Sequence, residues 1–470
     1  MLYVPLDRSA KRTYTRQIYY AIRRKILSGE LTAGEALPPY RELSRELAVS
    51  KNTVLSAYDM LAADGVVRSA AGSGFYVEKG MERRPPAPPV MDWQPAALSD
   101  RIIPAGTISF DNGQPALELF PRAKWNRAVS AAMMNMPAAA LGYDLPQGRQ
   151  ELRRALCGYL RKTQGLSCAA GQVIITSGAK QAIALAAECL LHTNKEVWIE
   201  DPSPALLKQL LSCHTDRVVS FPVDQQGLDP AAFPSGGRPA LIIASPARQF
   251  PTGAIMPMPR RMALAEFAER AGAYILEDNF ESEFNYDAPP ASSICELAPE
   301  RVLSVGTFSK VLYPSVRLGY MAAPPALLAR LCEHKRLSDH HTNPVYQLAL
   351  AALLEDGTLE KHVRRMKREY RARRDHLTDC LHRRFGDGVR VCGGAPVMNL
   401  VAAFDGVCFT EELTRQLLRH GVYAAPVERQ GRRTNELVLR YSGLTKEELT
   451  LGVERLQAGI CAFTGRPIES

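Results

Sequence analysis

Lys310 stands in a polar turn between two apolar runs, within Gly306-Thr307-Phe308-Ser309-Lys310-Val311-Leu312-Tyr313. Phe308, Val311 and Leu312 cover part of its stem, and burial favours the neutral amine over the ammonium. A free amine is what Schiff-base chemistry with an aldehyde needs. Thr307, Ser309 and Arg317 add two hydroxyls and a guanidinium, groups suited to a phosphate. An amine for an aldehyde beside donors for a phosphate points to pyridoxal 5′-phosphate. Two further groups fit that chemistry. Ser177-Gly178-Ala179-Lys180 follows an apolar run and opens a helical stretch, so its backbone N–H groups can face an anion. Asp278 follows another apolar run, where a buried aspartate can pair with a protonated pyridine nitrogen and keep the ring an electron sink.

These residues need a frame that brings strand ends together. Apolar runs at 173–176, 196–199, 241–244, 274–277 and 302–305 alternate with helical patterns such as 181–191 and 260–270. Such alternation predicts an α/β domain with a parallel sheet covered on both faces, and ligands there bind at the carboxyl ends of the strands.

The first eighty residues read differently. Ile18, Ile22 and Ile26 give one helix its buried face, Leu43 and Leu47 a second, and Val54, Tyr58 and Leu61 a third. Ser50 caps the third helix, and Asp64-Gly65 stops it. Two short strands follow around Gly72-Ser73-Gly74. Three helices with a tight turn and a two-stranded wing predict an α+β winged helix-turn-helix, whose third helix enters the DNA major groove by its N-terminal end. Lys51, Asn52 and Thr53 lie near that exposed end after Ser50; Arg41 of the second helix, with Ser50, Lys51 and Thr53, would mostly hold phosphates, and the wing glycines permit close approach to a phosphate backbone. Tyr58, although on the inward stripe, is also placed in the DNA-contacting set. Residues 1–80 hold twelve Lys/Arg and eight Asp/Glu, which is only mildly basic.

Five prolines between Glu82 and Pro95 make a semi-rigid spacer, long enough for a DNA-binding domain to reach a second subunit. The domains expected are therefore 1–80, a linker 81–104, and a large domain 105–470. Of 470 residues, 46% are hydrophobic and 23% charged, with a net charge of +9. No apolar run is long enough for a membrane span and no export signal is seen, so a cytoplasmic protein is expected. The ten cysteines form no metal-ligand pattern. Residues 361–384 hold ten Lys/Arg against three Asp/Glu, either a solvated helix face or a second surface for DNA.

Two sets of motifs carry a family resemblance. Ile26-Leu27-Ser28-Gly29, Leu37-Pro38, Arg41-Glu42-Leu43, Val49-Ser50-Lys51-Asn52-Thr53-Val54 and Gly72-Ser73-Gly74 resemble the GntR-family DNA-binding domain. Gly142-Tyr143, Pro146-Gln147-Gly148, Thr176-Ser177-Gly178, Gln249-Phe250-Pro251-Thr252-Gly253, Glu277-Asp278, Gly306-Thr307-Phe308-Ser309-Lys310 and Arg317-Leu318-Gly319-Tyr320 resemble the fold-type I aminotransferases, and more closely the MocR/GabR-type regulators. The resemblance implies that Lys310 forms the internal aldimine and Asp278 binds the pyridine nitrogen. It implies that Ser177, Gly178, Ala179, Lys180, Ser309 and Arg317 hold the phosphate, and that Tyr143 reaches the phosphate of a partner subunit in a homodimer, which the linker would allow to be domain-swapped. Arg440 would take an effector carboxylate. Phe280 stands beside the cofactor where such proteins usually have tyrosine, and Arg248 where they have histidine.

The expected protein is a pyridoxal phosphate-binding regulator of transcription that binds double-stranded DNA and senses an amino compound through aldimine exchange at Lys310. An aminotransferase with an accessory DNA-binding domain, and a DNA-binding protein with a large domain that serves only as scaffold, are the alternatives. Phe280 has no hydroxyl for the cofactor's 3-oxygen, which favours the regulator.

Overall fold

The computed structural model describes residues 2, 4–8, 12–70, 74–80, 103–111, 113–191, 194–284, 292–392, 398–429 and 431–465. The chain divides into two compact units, Met1–Arg101 and Ile102–Ser470. Most of the expected proline-rich linker, together with Gly72 and Ser73 of the wing, lies outside the described residues.

The first unit has helices Tyr14–Leu27, Tyr40–Glu46 and Lys51–Ala63, then antiparallel strands Val67–Ala70 and Gly74–Val77. Ile18, Ile22, Leu43, Val54, Tyr58, Leu61 and Val77 close one core among them. The third helix starts where the Ser50 hydroxyl accepts the Thr53 amide at 3.1 Å. It ends at Asp64, whose carboxylate accepts Arg23 Nε of the first helix at 2.9 Å.

In the second unit an eight-stranded sheet runs in the order Val173–Thr176, Gly319–Ala322, Val302–Thr307, Tyr274–Asp278, Leu241–Ala244, Val197–Asp201, Val218–Asp224, Gly227–Leu228. The five expected strands are present, and pairings from Val302–Thr307 through Val218–Asp224 are parallel. Gly319–Ala322 is antiparallel to both neighbours. The chain returns to it through the short turn 308–318 with no crossover helix, which permits only an antiparallel partner. Val173 and Ile175 pack into one core and Ile174 into another, so helices cover both faces. A second sheet, wholly antiparallel, has the order Val389–Cys392, Asn399–Phe404, Arg432–Arg440, Ala425–Arg429. The basic run 361–384 lies in helix Thr358–Phe385, which buries Met366, Tyr370, Arg373 and Leu377 and exposes Lys361, Arg364, Arg365 and Arg368. Among the described residues no helix is long and apolar enough to cross a membrane.

Candidate functional site

The carboxyl ends of four strands of the large sheet surround one cavity of about 460 Å³. Thr176 leads to Gly178, Ala179 and Lys180; Asp278 and Phe280 close another strand; Thr307, Ser309 and Lys310 follow a third; Asp201 leads to Pro204 and the helix Ala205–Ser212. Arg317 and Pro314 complete that wall, and Gly113 and Gln114 reach the cavity from the start of the unit.

Lys310 donates its amine hydrogen to the Gly113 carbonyl. Burial draws its pKa below the usual lysine value; Glu281 opposes this, and Arg440 and Lys180 add to it. The amine is thereby biased toward the form that attacks a carbonyl. Asp278 is pushed up to about 7 by burial, against a backbone N–H of Phe280 that stabilises its charge. Its Oδ1 is buried and has no hydrogen-bond partner among the described residues. An orphaned carboxylate oxygen in a low-dielectric cavity fits a buried cation, and a pyridinium N–H supplies both the charge and the missing hydrogen bond.

The end of the cavity expected to take the phosphate is built from close backbone approaches. Gly178 has φ +102, and a Cβ there would lie 3.4 Å from Arg317 Nη1. Gly319 packs so tightly that a Cβ would sit 2.8 Å from the Gly178 Cα. Arg317 itself is left-handed, with φ 50 and ψ 48, a conformation costing roughly 1–3 kcal/mol for such a residue. The helix Ala179–Leu190 points its N-terminus at this corner. The Ser309 hydroxyl accepts from Thr307 Oγ1 at 3.0 Å.

Ser177 is the exception among the expected phosphate ligands. It does not line the cavity; its hydroxyl donates to Asp339 Oδ2 at 3.3 Å and its amide to Gln181 Oε1 at 2.7 Å. Tyr143 is 86% exposed, with its ring 4.8 Å from that of His340. It lines no part of this chain's cavity. Arg440, at the end of strand Arg432–Arg440, lays its guanidinium 4.7 Å from the Phe250 ring centroid, and its Nε is 3.8 Å from Asp111 Oδ1. A Cβ added to Gly113 would meet Arg440 Nη1 and Lys310 Nζ at 3.1 Å each.

Three features of the site have no local signal in the sequence. Gly113 and Gln114 arrive from a distant segment. Ile183, Leu206, Leu207 and Leu210 form an aliphatic wall where a ring-stacking aromatic would be expected. Glu281 is a buried carboxylate (3% exposed) whose charge acts on Lys310.

In the first unit, Arg41, Lys51 and Asn52 are exposed and Thr53 is half-buried at the start of the third helix. Ser50 is also exposed, with its hydroxyl 2.8 Å from that of Thr53. Gly74 has φ +105 and open space where a Cβ would be. Tyr58 corrects an expectation. It is fully buried, and its hydroxyl donates to the Pro38 carbonyl at 2.9 Å, so it holds the second helix to the third and cannot touch DNA.

A winged helix joined to an α/β unit with a lysine at its strand-end cavity defines a class of DNA-binding proteins built on an aminotransferase scaffold. Residues 14–77 match the bacterial regulatory proteins of the gntR family, and residues 107–456 match aminotransferase class I and II. The chain is 31% identical over 97% of its length to "Probable rhizopine catabolism regulatory protein MocR" of Rhizobium meliloti, covering 96% of that protein. It is 31% identical to the "HTH-type pyridoxine biosynthesis transcriptional regulator PdxR" of Corynebacterium glutamicum, covering 78% of each. Among solved structures, LysN, the α-aminoadipate aminotransferase of Thermus thermophilus complexed with N-(5′-phosphopyridoxyl)-L-leucine, is similar with TM-score 0.70 and 28% identity, covering 77% of this chain and 94% of that one. The chain belongs to the GntR-family transcriptional regulators of the MocR type, with an aminotransferase class I and II domain. It is a DNA-binding regulator, and its large unit is a pyridoxal phosphate-binding domain.

Proposed function

We propose that this regulator senses an amino compound at the cavity of its large unit, with Lys310 as the residue the effector competes with. The observation that carries the reading is the orphaned, buried Oδ1 of Asp278 opening on the same cavity as a lysine whose ammonium is disfavoured by burial. Pyridoxal phosphate supplies an aldehyde that condenses reversibly with primary amines. Lys310 provides the resident amine. Asp278 would hold the proton on the ring nitrogen, Gly178, Ala179, Lys180, Ser309 and Arg317 would hold the phosphate, and Arg440 would take a carboxylate of the effector as a bidentate partner. Phe280 packs beside this cavity 6.1 Å from the Phe250 ring and offers no hydroxyl. This supports sensing over turnover, since proton transfer in transamination depends on such groups.

A homodimer is part of the proposal. Met134, Leu141, Tyr143, Leu145 and Leu337 are large apolar side chains left 84%, 57%, 86%, 63% and 68% exposed. Exposed apolar side chains of this kind support such an interface, and Tyr143 would then serve the partner's phosphate site. The test is the visible spectrum of the purified protein before and after borohydride, with peptide mapping. A yellow band trapped on Lys310, lost in Lys310→Ala together with effector-dependent transcription, is expected. A Lys310→Ala variant that still responds to effector would overturn the reading.

A further inference from the structure

The helix Gln150–Gln164 carries Cys157 on its third turn. Gly165 ends it in the left-handed conformation with φ 66, and the chain folds back along the helix. Cys168 then meets Cys157, donating its thiol hydrogen across 3.7 Å between the sulfurs. Both are only half-buried. One helical turn before Cys157, the Arg153 guanidinium is fixed by the Gly148 carbonyl at 3.1 Å and the Ala170 carbonyl at 2.7 Å.

The two thiols differ. The hydrogen bond from Cys168 and, less strongly, the charge of Arg153 bring the Cys157 thiol down to about 7 against its burial. Cys168 is held well above the usual thiol range by the same bond and by burial. A thiolate in contact with a protonated second thiol is the pairing of an attacking and a resolving cysteine. Cys295, a third thiol near Cys168, is pushed up to about 12 by burial.

We propose that Cys157 and Cys168 form a reversible oxidation site of this regulator, closing to an intramolecular disulfide when the protein meets a peroxide. The Cys157 thiolate attacks one peroxide oxygen, the O–O bond breaks, and hydroxide leaves. That hydroxide takes up one proton, and Cys157 carries a sulfenic acid. The Cys168 sulfur then attacks the Cys157 sulfur, the S–O bond breaks, and the second oxygen leaves as water with the Cys168 proton. Two thiols lose two electrons and the peroxide becomes two waters. The sulfurs already lie at contact distance, 3.7 Å apart, against about 2 Å in a disulfide. The bridge would tie the helix to the segment entering strand Val173–Thr176, at whose end Gly178, Ala179 and Lys180 line the cavity.

Arg161 and Lys162 lie between the two cysteines, so trypsin converts the bridge into two linked peptides. Full-length, cofactor-loaded protein is titrated with hydrogen peroxide, blocked with iodoacetamide and digested without reductant. The linked Cys157 and Cys168 peptides are expected as the main oxidised product, disappearing after dithiothreitol. In Cys168→Ser the bridge is lost and dimedone traps a sulfenic acid on Cys157. The proposal is overturned if both residues carry the iodoacetamide label while the exposed Cys213 or Cys408 is oxidised. It is equally overturned if Cys168→Ser, folded by circular dichroism, yields no dimedone adduct on Cys157.

Discussion

The Lys310 amine and the Arg440 guanidinium approach the same face of Gly113, where a methyl group would lie 3.1 Å from each. One residue from the start of the unit thus spaces the amine of one sheet from the guanidinium that ends a strand of the other. A Gly113→Ala substitution must push both groups back by a few tenths of an ångström. On the proposed reading its effect falls on the effector, which would need the two at a set separation. A roughly tenfold weaker effector response is expected, about 1.4 kcal/mol. Cofactor trapping by borohydride should persist, because only the Lys310 amine is needed for that. Loss of trapping with unchanged effector affinity would contradict the arrangement.

If Asp278 pairs with the ring nitrogen as proposed, cofactor affinity should depend on it most. Asp278→Asn keeps its shape and removes the charge. Truncating one partner of a buried charged pair costs roughly 2–5 kcal/mol, so cofactor affinity measured by fluorescence titration should fall by at least about thirtyfold. Retained affinity would mean that the ring nitrogen lies elsewhere.

The same residue sets a pH dependence in the cofactor-free protein. Asp278, Glu200 and Glu283 are each pushed up to about 7 by burial. Their unfolded values are near 4. A carboxyl raised in the folded state contributes stability below its unfolded value and loses it as pH climbs through the folded one. The cofactor-free protein should therefore lose stability between about pH 4 and about pH 7, on the order of a few kcal/mol per group. In Asp278→Asn that slope should be shallower, and thermal denaturation at several pH values reads it directly. An identical slope would show that Asp278 is charged in the folded state throughout.

In the first unit, Tyr58 and Lys51 should behave oppositely. Tyr58→Phe removes the hydrogen bond to the Pro38 carbonyl and should cost about 1 kcal/mol of stability, while the folded protein keeps its DNA affinity. Lys51→Ala should leave stability within about 0.5 kcal/mol and weaken binding to all sequences, lowering the salt slope by about 1. A stable Tyr58→Phe with weakened DNA binding would return Tyr58 to the interface.

The legible parts of this molecule are those whose role is local. Lys310, Asp278 and the Gly178 turn follow from strand-then-polar-turn patterns, because in a parallel sheet the residue after a strand faces the ligand end. Ser50 reads as a cap from its place before a helix. Tyr58 shows the limit: its spacing puts it inward, and only the buried hydroxyl's bond to Pro38 takes it out of the groove. Gly113, Glu281 and the leucines of 206–210 are illegible, since they matter only through tertiary approach. The antiparallel sheet ending at Arg440 leaves no alternation strong enough to mark its strands.

Tyr143 carries the claim about the dimer. It is 86% exposed and lines no part of its own chain's cavity. Tyr143→Ala should therefore leave the stability of the chain within about 0.5 kcal/mol yet lower cofactor retention. Lys310→Ala abolishes trapping outright. If Tyr143 serves the partner's phosphate, unfolding and refolding a mixture of the two variants assembles mixed dimers in which one site has both Lys310 and Tyr143 and the other has neither. Trapping and tight retention should then return in proportion to mixed dimers, up to half the sites in each. If Tyr143 acts within its own chain, every site in the mixture lacks one of the two residues and no retention is recovered.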